Sequence, residues 1–331
     1  MQYDDSIYGG STITEPVLLE LLASPAMQRL KGVMQHGITG LIGVTTPISR
    51  FEHSVGAMLL VRRLGADLAE QIAALLHDVS HTAFSHVIDY VFHDHNAQSF
   101  HDREKERYVA GTTIPAILTG HGFAWEPLLD EAAFPLLEQP SPALCADRLD
   151  YFLRDSVPLG LASQAEVQAV LDNLIVREGR IVCQDQATAR WLAETFMAAD
   201  DASWSNFREV GLYELTAQAI RRGLAVGAMS DADIWGEDRP VWQKLHAHPD
   251  PGLQQLLPQI TTDTQFLWDE ANPTFHVSTK IRTIDPDIWL DGALRRLSEL
   301  DPAYAARREG YVTAKNGVWP MRVVPAGAPI G

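Results

Sequence analysis

HDVSHTAFSH, residues 77–86, places three histidines and an aspartate within ten positions. It follows LAEQIAALL (68–76), an apolar helical run at whose end an unpaired polar pair would be costly to bury. Imidazole nitrogen and carboxylate oxygen together suit Mn, Fe, Zn, Co or Ni better than the oxygen-binding Mg or Ca. His77 and Asp78 are therefore predicted to bind one divalent transition metal, with Mg as a further alternative.

Two other segments offer further ligands for this metal. His53 begins the preceding helical run and comes alongside the quoted stretch if the two helices pack antiparallel. CADRLDYFLRDS (145–156) predicts a helix on which Asp147, Tyr151 and Asp155 share one face. From this pattern alone, Asp147 points either into a site or into water, because the helix carries both apolar and charged residues.

The composition limits the classes of function. The chain has 331 residues, 46% of them hydrophobic, and a formal net charge of −17. General nucleic-acid binding is not expected, because so acidic a surface repels polyanions. Two cysteines are too few for a disulfide framework or a thiolate zinc site. No apolar run approaches the roughly 20 residues of a membrane span, and the start lacks a signal peptide, so a cytoplasmic protein with no membrane contact is expected.

Apolar residues at helical spacing dominate the first part of the chain and predict a mainly α fold. IVREGRIVCQ (175–184) alternates apolar and polar residues around Glu178-Gly179, which predicts a small inserted β-hairpin. Residues 81–92 are predicted to be helical, and the Gly-, Thr- and Pro-rich residues 37–50 to form a long loop.

The pattern changes after residue 228. Short helices are followed by β-like pieces, including GYVTAKNGVWPMRVV (310–324) with an Asn316-Gly317 turn that is typical of a hairpin. We therefore predict a catalytic domain over 1–228 and a C-terminal α/β extension with short β-strands over 229–331, packed on it.

Three ordered motifs resemble those of the HD-domain phosphohydrolases. They are SRFEHSVG (49–56), LLHDVSHTAFSHVID (75–89) and ADRLDYFLRDS (146–156). MQRLKGVMQHG (27–37) also resembles the lead-in of one branch, which contains the deoxynucleoside triphosphate triphosphohydrolases and their vertebrate relative with SAM and HD domains. The resemblance implies an HD-domain helical fold and a metal-dependent phosphohydrolase. Its expected substrate is a small phosphorylated metabolite such as a nucleotide or deoxynucleotide, with dNTP triphosphohydrolysis as one form of the reaction.

The resemblance also assigns roles to residues of this chain. It implies four metal ligands, namely His53, His77, Asp78 and Asp147. Around the scissile phosphate it places His81, His86 and His101, with Asp89 orienting His81. The expected contacts to phosphate, sugar and base are Gln35, His36, Arg50, Arg148, Tyr151, Asp155 and Arg208. The arginines at 50 and 148 and imidazolium groups are expected to neutralise the phosphate.

Several positions depart from the pattern of that branch. His36 stands where relatives usually have leucine, and Val157-Pro158 replaces an aromatic or histidine pair. In NFREVGLYELTAQAIRRG (206–223), Gly211 and Tyr213 stand where tyrosine and histidine are usual. These departures predict a cavity that is roomier on the sugar side and does not strictly reject ribonucleotides.

Three alternatives remain open on the sequence. The chain could be a nucleotide phosphomonoesterase, a non-catalytic nucleotide-sensing module, or an oxygenase-type protein with a di-iron site. The last would need His81 and His101 as ligands of a second metal. In each case the partner is a small molecule, and the apolar helical surface is compatible with a homodimer.

Overall fold

The computed structural model describes residues 1–93 and 97–324 of the chain. Residues 325–331 of the predicted extension lie outside the described residues. Helix accounts for 54% of the chain and strand for 12%, which confirms the mainly α fold class. No described helix combines the length and the apolar character that crossing a membrane would require.

Helices make up most of the structure. In chain order they are α1 (Pro16–Ala23), α2 (Pro25–Arg29), α3 (Gly37–Leu41), α4 (Arg50–Arg63), α5 (Leu68–Leu76), α6 (Val87–Val91), α7 (Phe100–Ala110), α8 (Ile114–Gly120), α9 (Ala146–Ser156), α10 (Gln164–Asn173), α11 (Gln186–Ala199), α12 (Phe207–Ala225), α13 (Asp231–Ile234), α14 (Asp238–Ala247), α15 (Pro251–Leu256), α16 (Leu297–Leu300) and α17 (Pro302–Lys315). Helix α4 begins at a capping box formed by Ser49 and Glu52. Asp67 caps α5 by accepting from the backbone N–H of Glu70.

The strands are short and form three small sheets among the described residues. They are β1 (Gln2–Asp5), β2 (Gly9–Thr12), β3 (Leu174–Arg177), β4 (Arg180–Cys183), β5 (Gln265–Trp268), β6 (Phe275–Val277), β7 (Asp287–Leu290), β8 (Ala293–Arg296) and β9 (Trp319–Val324). Strands β1 and β2 pair as a hairpin, and the other two sheets have the orders β3-β4-β7-β8 and β5-β9-β6. The hairpin predicted at 175–184 is present as β3 and β4, and it joins β7 through a parallel bridge between Cys183 and Ile288.

Three local predictions were wrong. Residues 81–86 form turns rather than the start of a helix, and α6 begins only at Val87, because Phe84 and Ser85 have φ angles of 61° and 50° that an α-helix does not allow. The expected loop 37–50 contains α3. No hairpin forms at Asn316, because α17 continues to Lys315 and β9 pairs with β5 and β6 instead.

Two hydrophobic clusters hold the fold together. The first is built on α1, α4, α5, α9 and α11, and it also contains Ile288, Leu297 and Tyr304 from the C-terminal part. The second is built on α12, α14 and the β5-β9-β6 sheet, and it also contains Ile38 and Phe84 from the N-terminal part. Residues from both sides of position 228 therefore share both cores, and the division of the chain at that position stays a prediction.

Candidate metal centre and substrate cavity

Helices α4 and α9 and the end of α5 bring three predicted ligands together. His53 Nε2 lies 3.0 Å from Asp147 Oδ1 and 3.1 Å from His77 Nε2. His77 Nε2 lies 3.5 Å from the same Asp147 oxygen. Two imidazole nitrogens and one carboxylate oxygen thus face a common point, which is the donor set expected for a divalent transition metal.

The other ring nitrogen of each histidine is bound by a hydrogen-bond acceptor. His53 Nδ1 donates to Asp150 Oδ2 at 2.7 Å, and His77 Nδ1 donates to the carbonyl of Ala74 at 2.7 Å. In the neutral form of each ring the proton is therefore on Nδ1, which leaves the lone pair of Nε2 directed into the cluster. Protein metal sites orient their histidines in this way, so the residues present fit a metal ion.

Asp78, the fourth predicted ligand, lies between this cluster and a second one. Its carboxylate is 3.5 Å from His53 Nε2, 3.6 Å from His77 Nε2 and 3.1 Å from His81 Nε2. With His81 and His101 it forms a second group whose ligand atoms lie close enough to bind a cation. Arg50 Nη1 donates to Asp78 at 2.5 Å and restricts the orientation of the shared carboxylate.

The acidic ligands have strong effects on the ionisation of the first cluster. Burial disfavours the charged form of His77, but Asp78 and Asp147 outweigh it and raise its pKa to about 10. Burial opposes the charge of Asp147 as well, yet His53 and His77 hold the pKa of its carboxyl well below the usual range. The cluster stabilises positive charge at the point where a cation would bind.

Three further histidines lie beside the cluster. The rings of His81 and His101 stack with centroids 3.8 Å apart, and His86 lies edge-on to His81 at 5.0 Å. The side chain of His86 is 21% exposed, compared with 13% for His101 and 1% for His81. His86 is therefore the most solvent-accessible member of the trio. Ser80 donates to the carbonyl of His101 at 3.0 Å and connects the quoted stretch to the start of α7.

The expected role of Asp89 was wrong in one respect. Its carboxylate lies 3.0 Å from His86 Nδ1 and accepts from the backbone N–H of Phe100, so it orients His86 rather than His81. His81 Nε2 lies 3.1 Å from Asp78 Oδ1 but out of line for a hydrogen bond. Both ring nitrogens of His81 and Nδ1 of His101 have no hydrogen-bond partner among the described residues.

The trio also differs from the expected imidazolium groups. Burial and Arg50 lower the pKa of His81 and of His86 well below the usual range. Burial lowers the pKa of His101 to about 4. The three rings are therefore neutral near pH 7 in the ligand-free site, and they do not supply the positive charge that was expected from them.

A cavity of about 550 Å³ opens over both groups of histidines. Twelve predicted site residues line it, namely Gln35, His36, Arg50, His77, Asp78, His81, His86, His101, Asp147, Arg148, Tyr151 and Asp155. His53 lies fully buried beneath its floor, and Asp89 lies behind His86. The cavity thus joins the candidate metal centre to the predicted substrate-binding residues.

Two predicted substrate contacts are placed differently from expectation. Arg208 does not line the cavity, because its guanidinium donates to the carbonyls of Thr262 and Thr264. Arg148 lines the cavity, but its guanidinium bonds to the carbonyl of Ala143 and to Glu138. In this arrangement Arg208 lies outside the cavity, and the guanidinium of Arg148 is engaged by an ion pair with Glu138.

The predicted extra room at Gly211 is not present. A Cβ atom at this position would lie 2.6 Å from the ring of Phe266, so strand β5 fills the space that a tyrosine side chain would take. Gly211 does not line the cavity, whereas Tyr213 does. The glycine permits packing of the C-terminal sheet on α12 and does not enlarge the cavity.

Known proteins resemble both the motifs and the whole chain. The HD domain family matches residues 50–155. Metal-dependent phosphohydrolase cns2 of Cordyceps militaris is 38% identical over 320 residues, covering 94% of this chain and 92% of its own. This chain belongs to the HD-domain metal-dependent phosphohydrolases.

Two more distant matches bear on the fold and on the branch. A crystal structure of an Aquifex aeolicus protein matches this HD-domain phosphohydrolase with a TM-score of 0.68 at 18% identity, covering 92% of this chain and 93% of the other. Deoxynucleoside triphosphate triphosphohydrolase SAMHD1 of Danio rerio is 27% identical over 224 residues, which cover 51% of this chain and 35% of that protein. The first match supports the fold, and the second is too partial to confirm the triphosphohydrolase branch.

The structure adds a supporting network that the motifs did not reveal. Asp150, the partner of His53, accepts from Tyr8 Oη at 2.9 Å and from Arg154 Nη2 at 2.8 Å. Arg154 in turn pairs with Asp5 of the N-terminal hairpin at 3.1 Å. The four-residue spacing of Asp150 and Arg154 on α9 was a visible signal, but nothing in the sequence connects the hairpin to the HD-domain site.

The far side of the cavity also contains residues that sequence reasoning missed. Trp204 Nε1 donates to Asp155 Oδ2 at 2.7 Å, and His36 Nε2 lies 2.9 Å from Asp155 Oδ1. Lys280 and Arg282, from a segment between β6 and β7, line the cavity as well. No motif marks Trp204, Lys280 or Arg282, because they come from parts of the HD-domain protein that are distant in sequence from the motifs.

Proposed function

We propose that this HD-domain phosphohydrolase cleaves a phosphate ester of a nucleotide or deoxynucleotide. The observation that carries the proposal is the single cavity, whose volume of about 550 Å³ lies within the usual range for small-molecule sites. Histidines and carboxylates lie on its floor. On its other side, Tyr151, Trp204 and Tyr213 supply aromatic surface of the kind that packs against a sugar or a base.

The scissile phosphate is proposed to lie over the floor of the cavity. His53, His77, Asp78 and Asp147 would hold the metal, drawn from Mn, Fe, Zn, Co, Ni or Mg. When bound, such an ion polarises phosphoryl oxygens and lowers the pKa of water. Arg50, fixed by Asp78 and by Ser85 at 3.0 Å, places a guanidinium beside the same point and stabilises the charge of the phosphate.

His86 is the proposed proton-transfer residue of the trio. Asp89 accepts from its Nδ1, so the Nε2 atom carries the lone pair and faces the cavity. Burial, followed by the charges of Arg50, Arg282 and Lys280, keeps the pKa of His86 low in the free site. A bound phosphate offsets those charges and raises the affinity of Nε2 for a proton, which prepares His86 to protonate a leaving oxygen. His81 and His101, with unpaired ring nitrogens, position the phosphate or the attacking water.

The opposite side of the cavity would bind the nucleoside. Gln35 Oε1 is buried without a hydrogen-bond partner among the described residues and can accept from a hydroxyl or an amine. Asp155 raises the pKa of His36 although burial opposes it, so this pair can present an imidazolium edge to the ligand. Tyr151 connects the two ends, since its ring centroid lies 6.3 Å from that of His53 and 4.8 Å from that of Trp204.

A phosphate-release screen tests the proposal. Purified protein loaded separately with each metal is given nucleotides, deoxynucleotides and sugar phosphates, and the products are separated. Tripolyphosphate with free nucleoside identifies a triphosphohydrolase, and orthophosphate released stepwise identifies a phosphomonoesterase. Binding of a nucleotide with no phosphate released under any metal would contradict the proposal and favour the sensing module. Elemental analysis of the same samples is expected to show one metal per chain, and two would indicate that Asp78, His81 and His101 bind the second.

A further inference from the structure

Among the described residues, the lysines and arginines that line the cavity fall into two classes. Three lie in ion pairs with carboxylates, namely Arg50, Lys105 and Arg148. Lys280 and Arg282 have no ion pair with any described residue. The chain has a net charge of −17, so two cations without carboxylate partners in one cavity point to an anionic ligand.

The two cations belong to residues 279–283, here called the cationic segment. Hydrogen bonds fix it at both ends. Tyr90 Oη donates to Thr279 Oγ1 at 3.1 Å, and Arg308 Nε donates to Thr283 Oγ1 at 2.9 Å. Both threonines are buried. The segment therefore has a defined position over the cavity, even though it has no regular secondary structure.

Arg282 is oriented by neutral acceptors. Its guanidinium donates to Gln98 Oε1 at 2.5 Å and to the carbonyl of Lys280 at 3.2 Å. Its backbone N–H donates to Asp200 Oδ1 at 3.2 Å. These contacts hold the side chain in place but do not form an ion pair with its guanidinium.

The cationic segment lines the same cavity as the candidate metal centre. Burial is the main cause of the low pKa of His86, and the charges of Arg282 and Lys280 add to it. Desolvation and the neighbouring Arg282 lower the pKa of Lys280, and Asp147 acts in the opposite direction. A phosphoryl group bound between the segment and the metal centre would relieve the repulsion between Lys280 and Arg282.

We propose that Lys280 and Arg282 form a second phosphoryl subsite, which binds the phosphoryl group adjacent to the one at the metal centre. This inference rests on the proposed function and narrows its substrate class to compounds with at least two linked phosphoryl groups, such as nucleoside diphosphates and triphosphates. A monophosphate would occupy the metal centre and leave the subsite unfilled. Arg208 does not compete for this role, because carbonyl groups outside the cavity bind its guanidinium.

The test compares orthophosphate with pyrophosphate. Binding of each anion to the full chain is measured by calorimetry in excess divalent metal, so that the metal centre stays loaded. Lys280→Gln is expected to weaken pyrophosphate binding about tenfold and orthophosphate binding less than about twofold, because one charge-assisted contact is lost only with the larger anion. Lys280→Arg, which keeps the charge, is expected to retain most of the pyrophosphate affinity.

Lys244→Gln is the matched control, because Lys244 is half exposed, pairs with Asp233 and does not line the cavity. Its affinities for both anions are expected to equal those of the unmodified chain. The inference is overturned if Lys280→Gln weakens both anions equally, since the lysine would then act on the phosphate at the metal centre, or if it weakens neither. Both binding measurements can be made without any catalytic turnover. If the screen detects no phosphate release but Lys280→Gln still weakens pyrophosphate binding selectively, the proposed function is rejected and the second phosphoryl subsite is retained.

Discussion

The two groups of histidines on the cavity floor are held in different ways. His53 and His77 each donate from Nδ1 to a fixed acceptor and direct Nε2 towards the other. In the trio, only His86 has such support, from Asp89, while the nitrogens of His81 lack any described hydrogen-bond partner. The orientation of the first group is thus fixed by the protein itself. In the second group, the ring nitrogens of His81 can bind a phosphate, a water or an ion.

This difference has an energetic consequence. Ligands that are oriented in advance lose little freedom when the metal binds, which favours tight retention. Buried polar atoms that the protein does not pair gain hydrogen bonds from a ligand or a water that enters the site. The first group is therefore suited to permanent binding, and the trio to transient contact with substrate.

The largest effect is expected from removing a proposed ligand of the metal centre. His77→Ala and Asp78→Ala should each abolish metal retention and reduce hydrolysis to background, because a donor cannot be replaced from the surrounding apolar helix. Metal content by elemental analysis and phosphate release on the same samples measure both. His121→Ala is the control, since this histidine pairs with Glu20 outside the cavity. Full activity of either ligand variant, in folded protein, would end the metal-centre assignment.

The next effect separates the trio from the metal ligands. His86→Ala should retain the metal and lower kcat by roughly 100- to 10,000-fold, the range for loss of a proton-transfer group. Asp89→Asn should lower kcat less, because His86 stays in place with a weaker partner. The double variant should be no slower than His86→Ala alone if the two residues act as one unit. Loss of metal in His86→Ala would instead place His86 among the ligands.

The candidate residues of the floor could be located because they fall in short sequence motifs. His77 and Asp78 are adjacent, and Asp147 shares a helix face with Tyr151, so periodicity and the quoted motifs located them. The HD-domain family and the mainly α fold were predicted correctly for the same reason. The backbone conformation of residues 77–86 was not predicted correctly, since it depends on distant side chains. Arg29, for instance, donates to the carbonyls of Val79 and His81.

The remaining cavity wall was not predictable from local patterns. Asp238, in the C-terminal part, accepts from the backbone N–H groups of Met34 and Phe84 and shapes the turn from outside. Lys280 and Arg282 enter the cavity from a segment that carries no recognised site motif. Such positions are fixed by tertiary contacts between segments about 150 to 200 residues apart, as the pairs Asp238–Phe84 and Asp238–Met34 are.

The smallest effect tests whether the support of the first group matters. Asp150→Asn removes the charge that His53 Nδ1 faces, and metal affinity should fall about 10- to 100-fold, as for other outer partners of ligating histidines. Asp5→Asn is the matched control. It removes a charge from the same Arg154 but does not touch His53, so it should weaken the network without changing metal affinity. Competitive metal titration of both variants measures the difference. Equal losses would mean that Asp150 acts by stabilising the N-terminal hairpin, and the contrast between the two histidine groups would then rest on His77 alone.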